Sequence, residues 1–172
     1  MTSELSPRIY VVSLSDYNNG VVHGAWIDAA QSAADIAADV AEMLKSSRCQ
    51  PAEEWAIHDY KDFGGITIGE SESFKTVAEV ATGIAEHGPA WAAYVNYQGG
   101  LEWDSSFEDD YCGEWENEEA YAEELLDDIG ELKDGSLASR YFDYESFTRD
   151  LFAGDYYSVL AVNGNVYVFR RS

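Results

Sequence analysis

Residues 156–170, YYSVLAVNGNVYVFR, decide the reading of the fold. Two runs rich in β-branched and aromatic residues, 156–162 and 165–170, flank Asn163 and Gly164. That pair suits a two-residue hairpin turn, in which both central residues need positive φ. The spacing therefore predicts an antiparallel hairpin.

Working back along the chain, Asp143 is placed to cap a short helix carrying Phe147, Leu151 and Phe152 and ended by Gly154. Asn117 is a second helix start, with Glu118 and Glu119 in the first turn, where negative charge suits the helix dipole. Tyr121, Ala122, Leu125, Leu126, Ile129 and Leu132 recur at helical spacing and form the expected buried stripe. Ser73 opens another helix, to about His87, with Phe74, Val77, Ala78, Ala81 and Ile84 on one side and the stop signal of Gly88 and Pro89 after it. Residues 90–97 (AWAAYVNY) read as a strand, and residues 53–65 (EEWAIHDYKDFGG) as a connection into a second unit.

Nearest the N-terminus, Ile36, Val40, Met43 and Leu44 mark an amphipathic helix over residues 32–45. Residues 8–14 (RIYVVSL) read as a strand, leaving through the turn-prone residues 16–20, and residues 23–27 as a returning strand. Strands clustering with helices in this order give an α+β chain of two or three small α/β domains. The expected divisions are 1–61, 62–103 and 104–172, the last carrying the acidic segment.

With 46% hydrophobic residues, including 12 Tyr, 7 Phe and 5 Trp, the 172-residue chain has ample core material, which argues against disorder. Against 10 Lys and Arg stand 33 Asp and Glu, a formal charge of −23. Such a field repels nucleic acid and membrane surfaces, so direct binding to either is not expected. Residues 1–7 lack the basic and apolar regions of a signal peptide, and no stretch approaches membrane-spanning length, so the expected location is the cytoplasm.

Catalytic and metal chemistry find little support. Cys49 and Cys112 are far apart and without a partner motif, and His23, His58 and His87 lack metal-ligand spacing. Residues 104–110 (DSSFEDD) depart from the calcium-loop pattern with its fixed Gly and terminal Glu. No phosphate-cradling Gly loop or Gly-flanked nucleophile is present. Neither enzymatic activity, a cofactor nor a bound metal is expected.

The acids are unevenly placed, because no Lys or Arg occurs between Lys75 and Lys133. Within that gap lie Glu102, Asp104, Glu108, Asp109, Asp110, Glu114, Glu116, Glu118, Glu119, Glu123, Glu124, Asp127, Asp128 and Glu131. On the predicted helix, Glu119 with Glu123, Glu123 with Asp127, Glu124 with Asp128 and Asp127 with Glu131 are like-charge pairs four apart, each costing about 0.2–0.5 kcal/mol. Asp127, Asp128 and Glu131 also approach the helix C-terminus, where the dipole disfavours anions. Local stability would choose lysines there, so the charge points to a role outside the fold. Duplex DNA carries one charge per about 1.7 Å, and roughly 23 charges match about 12 base pairs. A rigid carboxylate display on that scale would pair with the phosphate-binding Lys and Arg of a DNA-handling enzyme, with Tyr111, Trp115 and Tyr121 packed beneath it.

Four ordered segments give this reading a family. IYVVSLSDYNNGVVHGAWID, EEWAIHDYKDFGG, FEDDYCGEWENEEAYAEELLDD and FDYESFTRDLFAGDYYSVLAVNGNVYVF together resemble the ArdA-type antirestriction proteins across nearly the whole chain. The resemblance implies an elongated, homodimeric DNA mimic, carried on mobile genetic elements, that occupies the DNA-binding groove of a type I restriction–modification enzyme. Its partners would be that enzyme's DNA-binding specificity and modification subunits. Residues 110–122 (DYCGEWENEEAYA) resemble the family's antirestriction motif, which places Asp110, Tyr111, Gly113, Glu114, Trp115, Glu116, Tyr121 and Ala122 in it. Two competing readings follow from charge alone: an acidic module for another basic nucleic-acid-binding protein, and a general solubility adaptation to high salt. Clustering of the acids counts against the second.

Overall fold

In a computed structural model, which describes residues 5–99, 106–130, 132–133 and 135–171, the chain is α+β and divides into two units, Met1–Trp103 and Asp104–Ser172. The edge expected near Asp62 falls inside the first of them.

The first unit is built on β1 (Arg8–Ser13), whose apolar run makes it the middle strand of a three-stranded antiparallel sheet. β2 (Gly24–Asp28) pairs on one side with Ile9 opposite Ile27, and β3 (Trp55–Lys61) on the other with a register shift between Tyr10 and Val11. β3 corrects the reading of residues 53–65 as a connection. Its alternation is obscured because Ala56 and Ile57 are consecutive and both buried. The expected turn after β1 contains a single helical turn, α1 (Leu14–Asn18), capped by the Ser13 side chain.

α2 (Ala33–Lys45) packs on this sheet, burying Ile36, Val40 and Met43, and Ser32 caps it by accepting from the Asp35 N–H. α3 (Phe74–His87) is capped in the same way by Ser73, which accepts from Thr76 N–H, and lies against α2.

Residues 90–97, expected as a strand, form helix α4 (Pro89–Tyr97) instead. Gly88, at φ 78°, closes α3, and Pro89 opens α4 at the position where its missing N–H costs nothing. The signal that stops one helix therefore starts the next. Ala90, Trp91, Ala92, Tyr94 and Val95 are all buried, so no single polar face reveals the helical period in the sequence.

The second unit repeats the principle with a different order. α5 (Phe107–Asp110) leads into β4 (Tyr111–Trp115), then α6 (Glu118–Ile129), α7 (Leu137–Tyr141), α8 (Tyr144–Ala153) and the hairpin β5 (Tyr156–Leu160) and β6 (Val166–Arg170). β6 is central, flanked by β4 and β5, all antiparallel. One face of the sheet carries Val168 against Tyr121 of α6 and Phe152 of α8. The other is aromatic: Phe107 stacks on Tyr111 with centroids 5.0 Å apart, and Tyr157 on Phe169 at 5.2 Å. Val168 and Phe169 are both fully buried, so β6 is covered on both faces.

The hairpin turn is longer than expected. Ala161 N–H donates to Asn165 at 2.8 Å and Gly164 N–H to Ala161 at 3.1 Å, leaving Val162, Asn163 and Gly164 in the loop. Only Gly164 takes a positive φ, 90°, so the turn is the three-residue kind that ends in a left-handed glycine. Asn163 serves it by side chain, its Oδ1 accepting from Asn165 N–H at 3.0 Å.

Candidate partner-binding surface

The stretch expected to carry function begins at α5. Phe107 and Asp110 are three apart on one turn and share a side of it, so burying Phe107 carries Asp110 inward too. Asp110, expected among the displayed carboxylates, is 8% exposed and is withdrawn from that set. Glu108 and Asp109 face solvent.

β4 is bulged, its pairing to β6 shifting between Tyr111 and Glu114, and Gly113 sits there at φ 101°, a conformation that favours glycine. Past the bulge, Trp115 turns to the helix-covered face, its Nε1–H donating to the Cys112 carbonyl at 2.9 Å and its ring meeting Tyr121 edge-on at 5.4 Å. Glu114 and Glu116 stay exposed on either side of it. Glu114 Oε1 also accepts from Asn163 Nδ2 at 3.4 Å. Within residues 110–122, then, Trp115, Tyr121 and Ala122 belong to the packing, and Glu114 and Glu116 to the surface.

α6 starts where Asn117 Oδ1 accepts from Ala120 N–H at 2.8 Å and ends at Gly130 in the left-handed conformation. Tyr121, Ala122 and Leu126 are buried and Leu125 is half-buried against the core. Ile129, expected in the same stripe, is the last residue of the helix and is 55% exposed. The opposite side presents Glu119, Glu123, Glu124, Asp127 and Asp128, all exposed. Glu118 stands apart: it is half-buried and its Oε1 accepts from Ser158 Oγ at 2.8 Å. Beside this face a cleft of about 470 Å³ is lined by Glu123, Glu124, Asp127, Ser139 and Tyr144 over Ala120, Leu126 and Leu132. Glu102, Asp104 and Glu131 lie outside the described residues.

The exposed acids of α6 have no Lys or Arg partner among the described residues. Among the described residues the ion pairs are His58 with Glu70 at 3.6 Å and His87 with Glu86 at 4.0 Å, and none joins a Lys or Arg to a carboxylate. Two of the cations are engaged elsewhere: Lys61 Nζ sits 4.3 Å from the Trp26 ring centroid, and Arg171 donates to the Tyr156 and Phe152 carbonyls.

Among the described residues no group of three or more His, Cys, Asp or Glu is arranged to hold a metal ion, and no helix is long and apolar enough to cross a membrane. Cys49 and Cys112 are free thiols. Sequence reasoning missed Ser158 and Asn163 as partners of acids. The first had a signal, a single serine inside the run YYSVL, and the second was read only as a turn residue.

Compared with known families, residues 9–165 match the model described as antirestriction protein (ArdA). The curated proteins yield no match.

Proposed function

Since the chain belongs to the ArdA family of antirestriction proteins, we propose that it acts as a DNA mimic, occupying the DNA-binding groove of a type I restriction–modification enzyme inside the cell. The observation that carries this reading is the outer side of α6, where Glu119, Glu123, Glu124, Asp127 and Asp128 are exposed and unpaired with any Lys or Arg. Glu108, Asp109, Glu114 and Glu116 extend the same character through α5 and β4.

The mechanism is electrostatic substitution. An enzyme that grips DNA through Lys and Arg offers those cations to whatever presents anions in their place, and release of condensed counterions strengthens the association at low salt. Fixed carboxylates on a packed helix lose little conformational freedom on binding compared with a disordered acidic tail. Specificity and modification subunits, which hold the target duplex, are the partners this reading implies, and a homodimer is the working form.

The test is titration of the purified protein into a type I methyltransferase bound to fluorescent target DNA at several salt concentrations. Stoichiometric DNA release that weakens steeply with salt supports mimicry of the backbone. No release, with DNA release from some other basic nucleic-acid-binding protein, would replace this reading with that of a different acidic module. Reversing Glu119, Glu123, Asp127 and Asp128 to Lys should abolish release while the variant stays folded.

A further inference from the structure

Glu118 is the acid of α6 that the sequence grouped with the displayed set and the structure treats differently. Its carboxylate is half-buried and is bound by Ser158 of β5, forty positions further along the chain, whereas Glu119 next to it is exposed. We infer that the Ser158–Glu118 hydrogen bond is the anchor that sets the bearing of the acidic side of α6. Ser158 is then a positioning residue for partner binding, and Glu118 is not among the carboxylates offered. The inference rests on the proposed role of α6.

The packing of α6 gives such an anchor a role. Most of its contact with the sheet and α8 is apolar, through Tyr121 and Leu125, and apolar burial is non-directional; the polar tie within that contact is the Tyr121 hydroxyl, hydrogen-bonded to Tyr156 and Cys112. Apolar burial fixes how deeply the helix sits more firmly than how it is rotated. A helix about 10–12 Å across that turned by about 20° would move its outer carboxylates by roughly 2 Å, enough to spoil a hydrogen-bonded match to fixed cations. The Asn117 cap does not prevent this, because it bonds the helix to its own first turn. Ser158, by contrast, lies opposite Val168 in the register, on the sheet face that α6 covers. A directional bond from the sheet to the first turn of the helix, added to the tie at Tyr121, pins its rotation.

Conservative variants separate an anchor from a contact. Glu118→Gln keeps an oxygen acceptor and loses the charge, and Ser158→Thr keeps the hydroxyl; both should release DNA from the methyltransferase as the wild type does, with the same salt dependence. Ser158→Ala should release DNA about 3–10-fold more weakly, the scale of one hydrogen bond, with the salt dependence retained and faster amide hydrogen exchange in the first turn of α6. Glu123→Gln is the comparison, losing affinity and flattening the salt dependence together. A Glu118→Gln variant that behaves like Glu123→Gln would overturn the inference, as would Ser158→Ala with unchanged release and unchanged exchange. Should the wild type itself release no DNA, the role of α6 fails separately, and the exchange measurement still decides whether the anchor exists.

Discussion

Gly83 in α3 lies flush against the indole of Trp91 in α4, so that a Cβ built on it would come within 2.4 Å of the ring. Glycine inside a helix ordinarily costs about 0.5–1 kcal/mol relative to alanine, so replacing it usually stabilises. Here the methyl would meet a ring only 7% exposed, and overpacking a closed contact costs about 1–3 kcal/mol. The steric cost is the larger, and Gly83→Ala is expected to lower stability by about 1 kcal/mol, read from urea unfolding. A gain would mean that α4 can shift away from α3.

Acid tolerance should depend on Asp16. Its carboxylate is fully buried, Oδ2 accepts from Ser47 Oγ, and Oδ1 has no hydrogen-bond partner. The Ser47 hydroxyl first, then that of Ser13, hold the carboxyl below its usual range against burial, which pushes it up, with smaller help from Cys49 and His23. A folded-state value below the unfolded one means stability that is present above the unfolded value, about 3.9, and lost as pH falls through the folded value. Ser47→Ala removes the largest cause, so the Asp16 titration, followed by carboxyl-carbon NMR, should move upward and acid unfolding should begin at higher pH. An unmoved titration would refute the role given to Ser47.

Much of this architecture was legible because helix starts are written locally. Ser73, Asn117 and Asp143 each accept from the N–H three residues on, as their residue types and positions predicted, and Ser32 does the same at the start of α2. What was hidden depended on tertiary surroundings. Burial on nearly every side erased the period of α4, and the consecutive burial of Ala56 and Ile57 erased that of β3. In the acidic stretch, sequence gave the charge but not its direction. Asp110 is turned in by Phe107, and Glu118 is taken by a hydroxyl forty residues away. The first turns on which side of a single helical turn is covered, and the second on a residue far along the chain.

At the alkaline end the informative group is Tyr111. Burial first, then the nearby charge of Glu114, then Tyr167, push its hydroxyl up to about 12. Since an unfolded tyrosine ionises near 10, the stability from holding Tyr111 neutral is complete below that pH and disappears as pH rises through about 12. Tyrosinate absorbance, compared with Tyr111→Phe, should isolate this late titration. Glu114→Gln should bring it down only part of the way, because burial is the larger cause. A Tyr111 that ionises with the exposed tyrosines would show that the stacked contact with Phe107 opens to water.

The acids at the end of α6 offer a prediction in which stability and function move in opposite directions. The last turn of α6 holds no basic residue, and Asp127 and Asp128 stand four residues after Glu123 and Glu124. Each Asp→Lys change turns a like-charge pair costing about 0.2–0.5 kcal/mol into an attractive one in the better orientation, Glu before Lys. It also places a cation where the helix dipole favours it, worth about 0.3–1 kcal/mol on an exposed surface at low salt. The double variant Asp127→Lys, Asp128→Lys should therefore be about 1.5–4 kcal/mol more stable in low-salt urea unfolding and yet release less DNA from the methyltransferase. Stability forgone at two adjacent positions is hard to explain unless the charge is used elsewhere. A double variant that gains stability and keeps full inhibition would mean that these two acids serve solubility, and the partner-facing part of the helix would then have to end at Glu124.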